Sequence, residues 1–332
     1  MSDETANNAK RRTFEALREQ LAARGYGPTG GSGAARRVPD SEIRRIVRKK
    51  RAAGPTPTPG SQPPPSAVHY GRDLPRRSTP LSEAPAPGPP VVLHEAVEGV
   101  EVRCAQQGTV YLVTRAVADI DDASRELDTG FSACLADTAS PLSRRLARRC
   151  DVEGLEPSDV IFMDVESTGL GNSPLFLIGI MLWDESGFTT YQYLARNYAE
   201  ESAAIRFFVE ACASRRLLVT FNGKSFDFPY IRARAAANGI RFDLSPIHFD
   251  LLHECRRIWR TKLPDCRLQT LERHICGRTR HGDIPGSEIP DAYHAFVRTE
   301  NAWQIVPILK HNMLDLVTLA DLMTRMPVLE ND

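Results

Sequence analysis

The chain has 332 residues, of which 42% are hydrophobic and 25% are charged, and its formal net charge is zero. This length suits one large domain or two modest ones, and without an apolar run of about 18 residues no membrane span is expected. The seven cysteines are scattered without a C-x-x-C pair, and no apolar signal core follows the first basic residues. These features predict reduced thiols in a cytoplasmic protein.

The charge is unevenly distributed. Residues 1–90 hold 16 Lys and Arg against 8 Asp and Glu, whereas residues 91–332 hold 26 against 34. Residues 1–90 also contain 14 of the 24 prolines and few large apolar residues, so they cannot bury enough surface to offset chain entropy. We predict a disordered, basic, proline-rich tail that reaches an anionic partner. Its segment 40–51 fits a nucleic-acid-contacting helix and a solvated linker equally well.

Globular composition begins at residue 91. The apolar pattern from Val100 to Val113 predicts a hairpin, whereas residues 114–158 have the poor periodicity of loop and helix. We therefore treat residues 91–157 as a small β-containing extension of the main domain.

The main domain, residues 158–326, alternates strands and helices. Its apolar runs predict strands 160–165, 175–183 and 188–194, helix 199–213, strand 217–221, helix 227–238 and strand 247–250, followed mostly by helices. The first three strands are too close together for parallel pairing, whereas the later ones follow helices and should add in parallel. The predicted fold class is α/β, with a mixed five-stranded sheet flanked by helices.

The first candidate motif ends the first of these strands. Asp164 and Glu166 are two residues apart, so their carboxylates leave the same face, where a hard divalent cation can offset their repulsion. Asp-x-Glu should occur by chance about once in a chain of this length, so the pair alone does not define a metal site.

Two further motifs supply acids from other elements. Asp227 follows the loop Asn222-Gly223-Lys224 and opens a predicted helix, where its simplest role is that of an N-cap. His311 and Asp315 are four residues apart on a later helix and share one face, as an exposed helical pair also would.

Together and in this order, the three motifs resemble those of the DEDD (DnaQ-like) 3′–5′ exonucleases, which have a ribonuclease H-like fold. The middle motif is similar to that of the proofreading domain of family B DNA polymerases, and the stretches 263–272 and 282–286 resemble the bacterial YprB-like exonuclease-domain family. The resemblance covers residues 158–326 and is weak in 91–150. The third motif combines the His of one branch with the spacing of the Tyr-containing polymerase branch, so it matches neither branch.

The resemblance implies a two-metal phosphodiester hydrolase. Asp164, Glu166, Asp227 and Asp315 would hold two Mg²⁺ or Mn²⁺ ions about 4 Å apart, one activating water and one stabilising the leaving oxygen. His311 would be the general base, since an imidazole pKa near 6.5 suits that task at neutral pH.

The implied substrate is a 3′ end of single-stranded DNA or RNA. The residues expected to contact it are Thr168, Leu170, Asn222 and Phe226. Leu170 would wedge under the terminal base, and Asn222 would orient either the strand or a ligand carboxylate. Two alternatives are a nucleic-acid-binding module without turnover and a structure-specific endonuclease of the same fold.

Other polar residues have simpler explanations. Asp250 should cap the helix that follows it, with a supporting catalytic role as the lesser alternative, and Asp283 fits a turn. The basic residues around Trp259 fit either a strand-gripping patch in which Trp259 stacks a base or the solvated face of an amphipathic helix. The cysteines and histidines of residues 253–276 lack the usual spacing of a zinc or iron–sulfur site.

Overall fold

The computed structural model describes residues 77–78, 89–104, 106–120, 122–169, 173–184 and 187–326. Most of the predicted tail, including the segment 40–51, lies outside these residues. So does Leu170. Two residues of the tail, Arg77–Ser78, form a short strand that pairs in parallel with Arg278–Thr279.

Seven of the nine described strands form one mixed sheet. The strands are β1 (Arg77–Ser78), β2 (Val100–Cys104), β3 (Gly108–Ala116), β4 (Val160–Ser167), β5 (Leu175–Asp184), β6 (Gly187–Leu194), β7 (Leu217–Thr220), β8 (Ile247–Asp250) and β9 (Arg278–Thr279). The order in the sheet is β2-β3-β6-β5-β4-β7-β8. Strands β4, β5 and β6 are antiparallel neighbours, and β7 and β8 add in parallel beside β4, which confirms the predicted α/β class.

The expected count of five strands was wrong, because the hairpin β2–β3 extends the same sheet. Strand β3 pairs with β6 from Tyr111↔Leu194 to Ala116↔Thr189. Without β3, the backbone groups of β6 on that side would lack strand partners, as they do at any sheet edge. The hairpin of residues 91–157 therefore completes the sheet.

Nine α-helices are described. They are α1 (Leu93–Ala96), α2 (Asp122–Ala136), α3 (Pro141–Arg149), α4 (Glu201–Cys212), α5 (Asp227–Ala237), α6 (Leu251–Trp259), α7 (Leu268–Leu271), α8 (Ile289–Thr299) and α9 (Val306–Thr324). A π-helical turn, Glu272–Cys276, follows α7. The segment of poor periodicity contains α2 and α3, and their buried leucines belong to the core cluster that α9 shares. No helix in the described part of the chain is long and apolar enough to cross a membrane.

The two faces of the sheet have separate cores, and the alternation of β4 assigns its side chains between them. Val160 and Phe162 pack in the cluster that contains α9, whereas Ile161 and Met163 pack with α4 and α5. Because every second residue shares a face, Asp164 and Glu166 continue the α9 side. The same face thus changes from apolar to acidic along one strand.

Helix α9 lies close to the sheet because β5 has a glycine, which lacks a side chain, at the point of contact. Asn312 of α9 is fully buried, and a Cβ atom added at Gly179 would lie 2.0 Å from the Asn312 Oδ1 atom. Gly179 is the partner of Asp164 in the β4–β5 register. The missing side chain therefore makes room for an amide beside the first acid of the site.

We predict that Gly179→Ala destabilises the domain by about 1–3 kcal/mol, because the new methyl group overlaps an amide that is already hydrogen-bonded on both sides. Urea unfolding monitored by circular dichroism measures this loss. The matched control is Gly154→Ala, where an added Cβ has no neighbour within 4 Å and the stability should change by less than about 0.5 kcal/mol. Equal stability of the two variants would contradict the close packing of α9 on β5.

Candidate carboxylate site

Four acids from three elements converge at one edge of the sheet. Asp164 and Glu166 lie near the end of β4, where the β4–β5 register shifts between Glu166 and Ser167. Asp227 is the first residue of α5, which follows β7, and β7 runs parallel to β4, so both strands end at the same edge. Asp315 comes from α9. We call these four residues the carboxylate site.

Three of the four acids have raised pKa values, with burial as the largest cause in each. Burial, followed by the charges of Asp315, Glu166 and Asp227, raises the pKa of Asp164 well above its usual value. Burial also raises the pKa of Glu166 to about 8, although His311 acts in the opposite direction. For Asp227, burial and the charges of Asp250 and Asp315 raise the pKa to about 7. The site thus holds more negative charge than the protein around it stabilises.

Asp164 is oriented by a hydrogen-bond chain that crosses the sheet. The Asn312 Nδ2 atom donates to the Asp164 Oδ2 atom at 2.8 Å and to the Asp164 carbonyl oxygen at 3.2 Å. The Asn312 Oδ1 atom accepts from Gln192 Nε2 of β6 at 2.8 Å, and Gln192 Nε2 also donates to the Leu309 carbonyl oxygen at 2.7 Å. Asn312 was not among the predicted residues, although it lies next to His311.

His311 is held between two carboxylates. Its Nδ1 atom lies 3.0 Å from both carboxylate oxygens of Asp283, and its Nε2 atom lies 3.5 Å from Asp315 Oδ2. Burial lowers the pKa of His311, but the hydrogen bond with Asp283 and the charges of Asp315 and Glu166 outweigh it and raise the pKa to about 8. The prediction of a simple turn residue at Asp283 was wrong, since Asp283 is the partner of the histidine. The sequence signal that could have indicated a functional role for Asp283 was its position in the stretch 282–286, which resembles the YprB-like family.

A buried arginine connects this pair to the carboxylate site. The Arg280 side chain is 4% exposed and forms ion pairs with Asp315 at 2.5 Å, Glu272 at 2.7 Å and Asp283 at 3.3 Å. Burial acts to lower the pKa of Arg280, and the three carboxylates outweigh it and raise the pKa. Arg280 is therefore a permanent cation at the edge of the site, and nothing in the sequence pattern pointed to it.

The loop before Asp227 is fixed by Asp250. Asp250 caps α6 as predicted, since its Oδ1 atom accepts from the Leu252 amide at 3.0 Å. The same carboxylate also accepts from the amides of Asn222 at 2.8 Å and Lys224 at 3.0 Å. Asn222 has φ of 63°, a left-handed conformation that Asn tolerates better than most residues. The strand end of β8 thus shapes the loop that presents Asn222 and Asp227.

The turn after β4 is fixed by its own polar groups and by the middle motif. The Thr168 amide donates to the Pro174 carbonyl at 3.0 Å, and the Thr168 hydroxyl donates to the same oxygen at 3.1 Å. The Tyr230 hydroxyl, from α5, donates to the carbonyl oxygens of Gly169 and Ser173. Thr168 therefore lies beside the first motif, with its hydroxyl used for the turn.

The two aromatic candidates for base contact differ in exposure. Phe226, next to Asp227, is 58% exposed, so its ring is accessible from solvent. Trp259 is completely buried in the α9-side core, and the interpretation that it stacks a base was wrong. The apolar side of α6 faces the core, so Trp259 is a packing residue and the arginines around it are on the polar side of the helix.

The donor set of the site fits hard divalent cations, because it consists of carboxylate oxygens whose burial and mutual repulsion a cation would relieve. The candidate ligands are Asp164, Glu166, Asp227 and Asp315. Within the described ranges, however, no group of three or more His, Cys, Asp or Glu side chains is arranged so that it could hold a metal ion. Asp315 is paired with Arg280 instead.

The family comparison agrees with this architecture. Residues 161–327 match the family model described as the RNase_H superfamily, and this match spans half of the chain. The chain therefore belongs to the RNase_H superfamily.

Two known proteins are similar over part of their length. The uncharacterized protein YprB of Bacillus subtilis (strain 168) is 32% identical over 186 residues, which is 54% of this chain and 45% of that protein. The family B DNA polymerase of the archaeon Pyrobaculum calidifontis aligns with a TM-score of 0.42 and 17% identity, over 51% of this chain and 25% of the polymerase. The chain thus spans less than half the length of either protein.

The raised pKa values predict how stability depends on pH. The pKa values of Glu166 and Asp227 are about 8 and about 7 in the folded protein, above their usual values of 4.5 and 3.8. The stability that the protonated groups contribute is complete below the usual pKa values and is lost progressively as the pH rises from them to the raised values. In EDTA, the free energy of unfolding should therefore fall between about pH 4.5 and pH 7 more steeply for the wild type than for Asp227→Asn.

Urea unfolding at several pH values measures this slope. The control Asp243→Asn removes an exposed carboxylate that pairs with Arg241, and it should leave the slope unchanged. A slope that Asp227→Asn does not reduce would show that Asp227 ionises normally.

Proposed function

We propose that this domain is a metal-dependent 3′–5′ exonuclease of the DEDD type that hydrolyses phosphodiester bonds in single-stranded DNA or RNA. The observation that carries the proposal is the convergence of four acids from β4, α5 and α9, in which burial and neighbouring charges raise the pKa values of Asp164, Glu166 and Asp227. A domain that only had to fold would gain by replacing such a cluster with apolar residues. Membership of the RNase_H superfamily supports nucleic acid as the substrate class.

The carboxylate site is assigned to two Mg²⁺ or Mn²⁺ ions. When bound, such ions supply an acidified water and neutralise the charge on a scissile phosphate. The chain itself contributes the orientation of the ligands: Asn312 fixes Asp164, and the loop that Asp250 organises presents Asp227. Arg280 keeps a positive charge beside Asp315.

His311 is assigned the role of general base. Its Nδ1 atom faces Asp283, so Asp283 can hold the tautomer whose Nε2 atom accepts a proton from water. The carboxylate also stabilises the imidazolium that forms when the proton arrives. Asp283 is thus a positioning residue for His311.

The substrate contacts are assigned around the acids. The exposed ring of Phe226 offers a face on which a base can stack, and Asn222, in its left-handed loop, is close to Asp227 in the chain. Thr168 lies in the turn that follows Glu166. The wedge role of Leu170 remains a prediction from the resemblance.

We predict that Asp227→Asn removes nearly all cleavage, because it removes a negatively charged metal ligand from the carboxylate site while keeping the shape of the side chain. The assay uses single-stranded DNA and RNA of equal sequence, labelled at the 5′ end, with Mg²⁺ or Mn²⁺. The wild type should give a ladder that shortens from the 3′ end only when a divalent cation is present.

The control Asp243→Asn keeps the carboxylate site intact and should cleave like the wild type. Cleavage of a circular single strand would replace the proposal with an endonuclease, since such a substrate has no end. Tight binding of both strands with no cleavage by the wild type would favour the binding module instead.

The pair of His311 and Asp283 gives a separate prediction. Asp283→Asn removes the negative charge that stabilises the imidazolium, so the pKa of His311 should fall from about 8. In the pH profile of kcat, the limb at low pH should move to lower pH, with kcat reduced on the order of tenfold to a hundredfold. His311→Ala should leave weak activity without that limb, and an unmoved limb in Asp283→Asn would refute the positioning role.

A further inference from the structure

A cavity lined by arginines lies at the other end of the strands that carry the carboxylate site. Its volume is about 470 Å³, and its lining includes residues from the end of α3, the loop before β7 and the start of β8. Strand β7 begins at Leu217 beside this cavity and ends at Thr220 near Asp227. Four residues of a strand span about 13 Å, so the cavity is a separate feature from the carboxylate site.

Three arginines line the cavity, and they come from two segments of the chain. They are Arg149, Arg215 and Arg216. The Arg149 guanidinium carbon lies 5.7 Å from the centre of the Phe249 ring, which holds a cation in place without neutralising it. Among the described residues, no carboxylate forms an ion pair with Arg149.

The backbone of the cavity wall is tied down. The Arg216 amide donates to the Asp159 carbonyl at 2.8 Å, and the Ile247 amide donates to the Arg216 carbonyl at 2.7 Å. The Arg215 Nη1 atom donates to the Ser158 carbonyl. These bonds fix the backbone at Arg216 and the side chain of Arg215, so a bound anion would not have to order the backbone of the wall.

Two acids oppose the positive charge. Asp151 lines the cavity, and the Asp159 carboxylate lies 3.4 Å from the Arg216 Nε atom. Arg216 remains 54% exposed in spite of this pair. Three cations against two anions leave a net positive site on a domain whose residues 91–332 carry a net negative charge.

The positive charge continues along α3 from the cavity. Arg148 and Arg144 are exposed and four residues apart, which places them about 6 Å from each other along the helix axis. No carboxylate in the described part of the chain forms an ion pair with either of them. A row of arginines without acidic partners that leads to an arginine-lined cavity suits a chain of phosphates better than a single ion.

We propose that this cavity and the adjoining face of α3 form a phosphate-binding site for the backbone of a nucleic-acid strand. Guanidinium groups bind phosphate oxygens in a bidentate manner, and the contacts involve no base, so the site should accept any sequence. Its role is to hold the strand, and it does not depend on whether the carboxylate site hydrolyses it.

The test measures binding without turnover. Fluorescence anisotropy of a labelled single-stranded DNA 20-mer in EDTA, over a range of salt concentrations, compares the whole wild-type chain with Arg149→Gln/Arg216→Gln. The double variant should bind about tenfold more weakly at low salt, and the slope of log K against log salt should fall by about 0.7 for each phosphate that the variant no longer binds. Because the basic tail is present in both proteins, its contribution cancels.

Two further variants separate charge from folding. Arg149→Lys keeps the cation but loses the bidentate geometry, so it should bind more tightly than the double variant and more weakly than the wild type. Asp151→Asn removes an opposing charge and should tighten binding. The control Arg103→Gln removes an exposed positive charge from β2, far along the sheet from β7, and should change the affinity less than twofold. Thermal melts identify any variant that fails to fold.

An affinity and slope equal to those of the wild type, or no larger effect than that of Arg103→Gln, would overturn the proposal. A second arm titrates inorganic phosphate and 5′-AMP by calorimetry. If the double variant loses binding of these small phosphates but still binds the 20-mer normally, the ligand is a free phosphate compound, and the strand is ruled out. Cleavage is not read in these experiments, so their outcome is independent of the exonuclease assay.

Discussion

The crowding of carboxylates at one edge of the sheet is the constraint on which the rest of the site depends. Burial and mutual repulsion together raise the pKa values of Asp164 and Glu166, and for each acid a different neighbour partly offsets the increase. Asn312 donates a hydrogen bond to Asp164, and the imidazole of His311 acts on Glu166. For Asp227, burial and two neighbouring acids all raise the pKa. A bound cation would relieve the repulsion at all three of these acids.

Arg280 makes the other side of the site different. Its guanidinium group touches Asp315 and Asp283, and Asp283 in turn holds His311. One buried cation thus stabilises the acid on α9 and the partner of the histidine at the same time. Since removing one member of a buried ion pair leaves an uncompensated charge, these residues have to be retained or replaced together.

The local pattern of the sequence was sufficient for the main elements. The strand end that carries Asp164 and the helix start at Asp227 follow from short-range periodicity and turn residues, and both lie where expected. The attachment of β3 to β6 could not be predicted, because any exposed strand edge can accept a partner. The same limit applies to polar contacts: Gln192 and Asn312 are 120 residues apart, so no local pattern connects them.

Asp283 and Trp259 show why single residues are harder to assign than elements. A lone Asp in a loop fits a turn, and only the folded chain brings it to within 3.0 Å of a histidine 28 residues later. Trp259 is surrounded in sequence by basic residues, yet the face of the helix on which it lies is decided by the core that the helix covers. In both cases the role of the side chain depends on the residues that it contacts in the folded chain, which are distant in sequence.

The two ends of β7 carry opposite charges, because the sheet places the acidic residues at one edge and the arginines at the other. The carboxyl ends of the parallel strands β4 and β7 lie at one edge of the sheet, and there the acids meet. The other end collects arginines from α3 and from the loop before β7. A phosphate chain is attracted to the arginines and repelled by the acids until a cation neutralises them, so holding the strand and admitting it to the carboxylate site can be controlled separately.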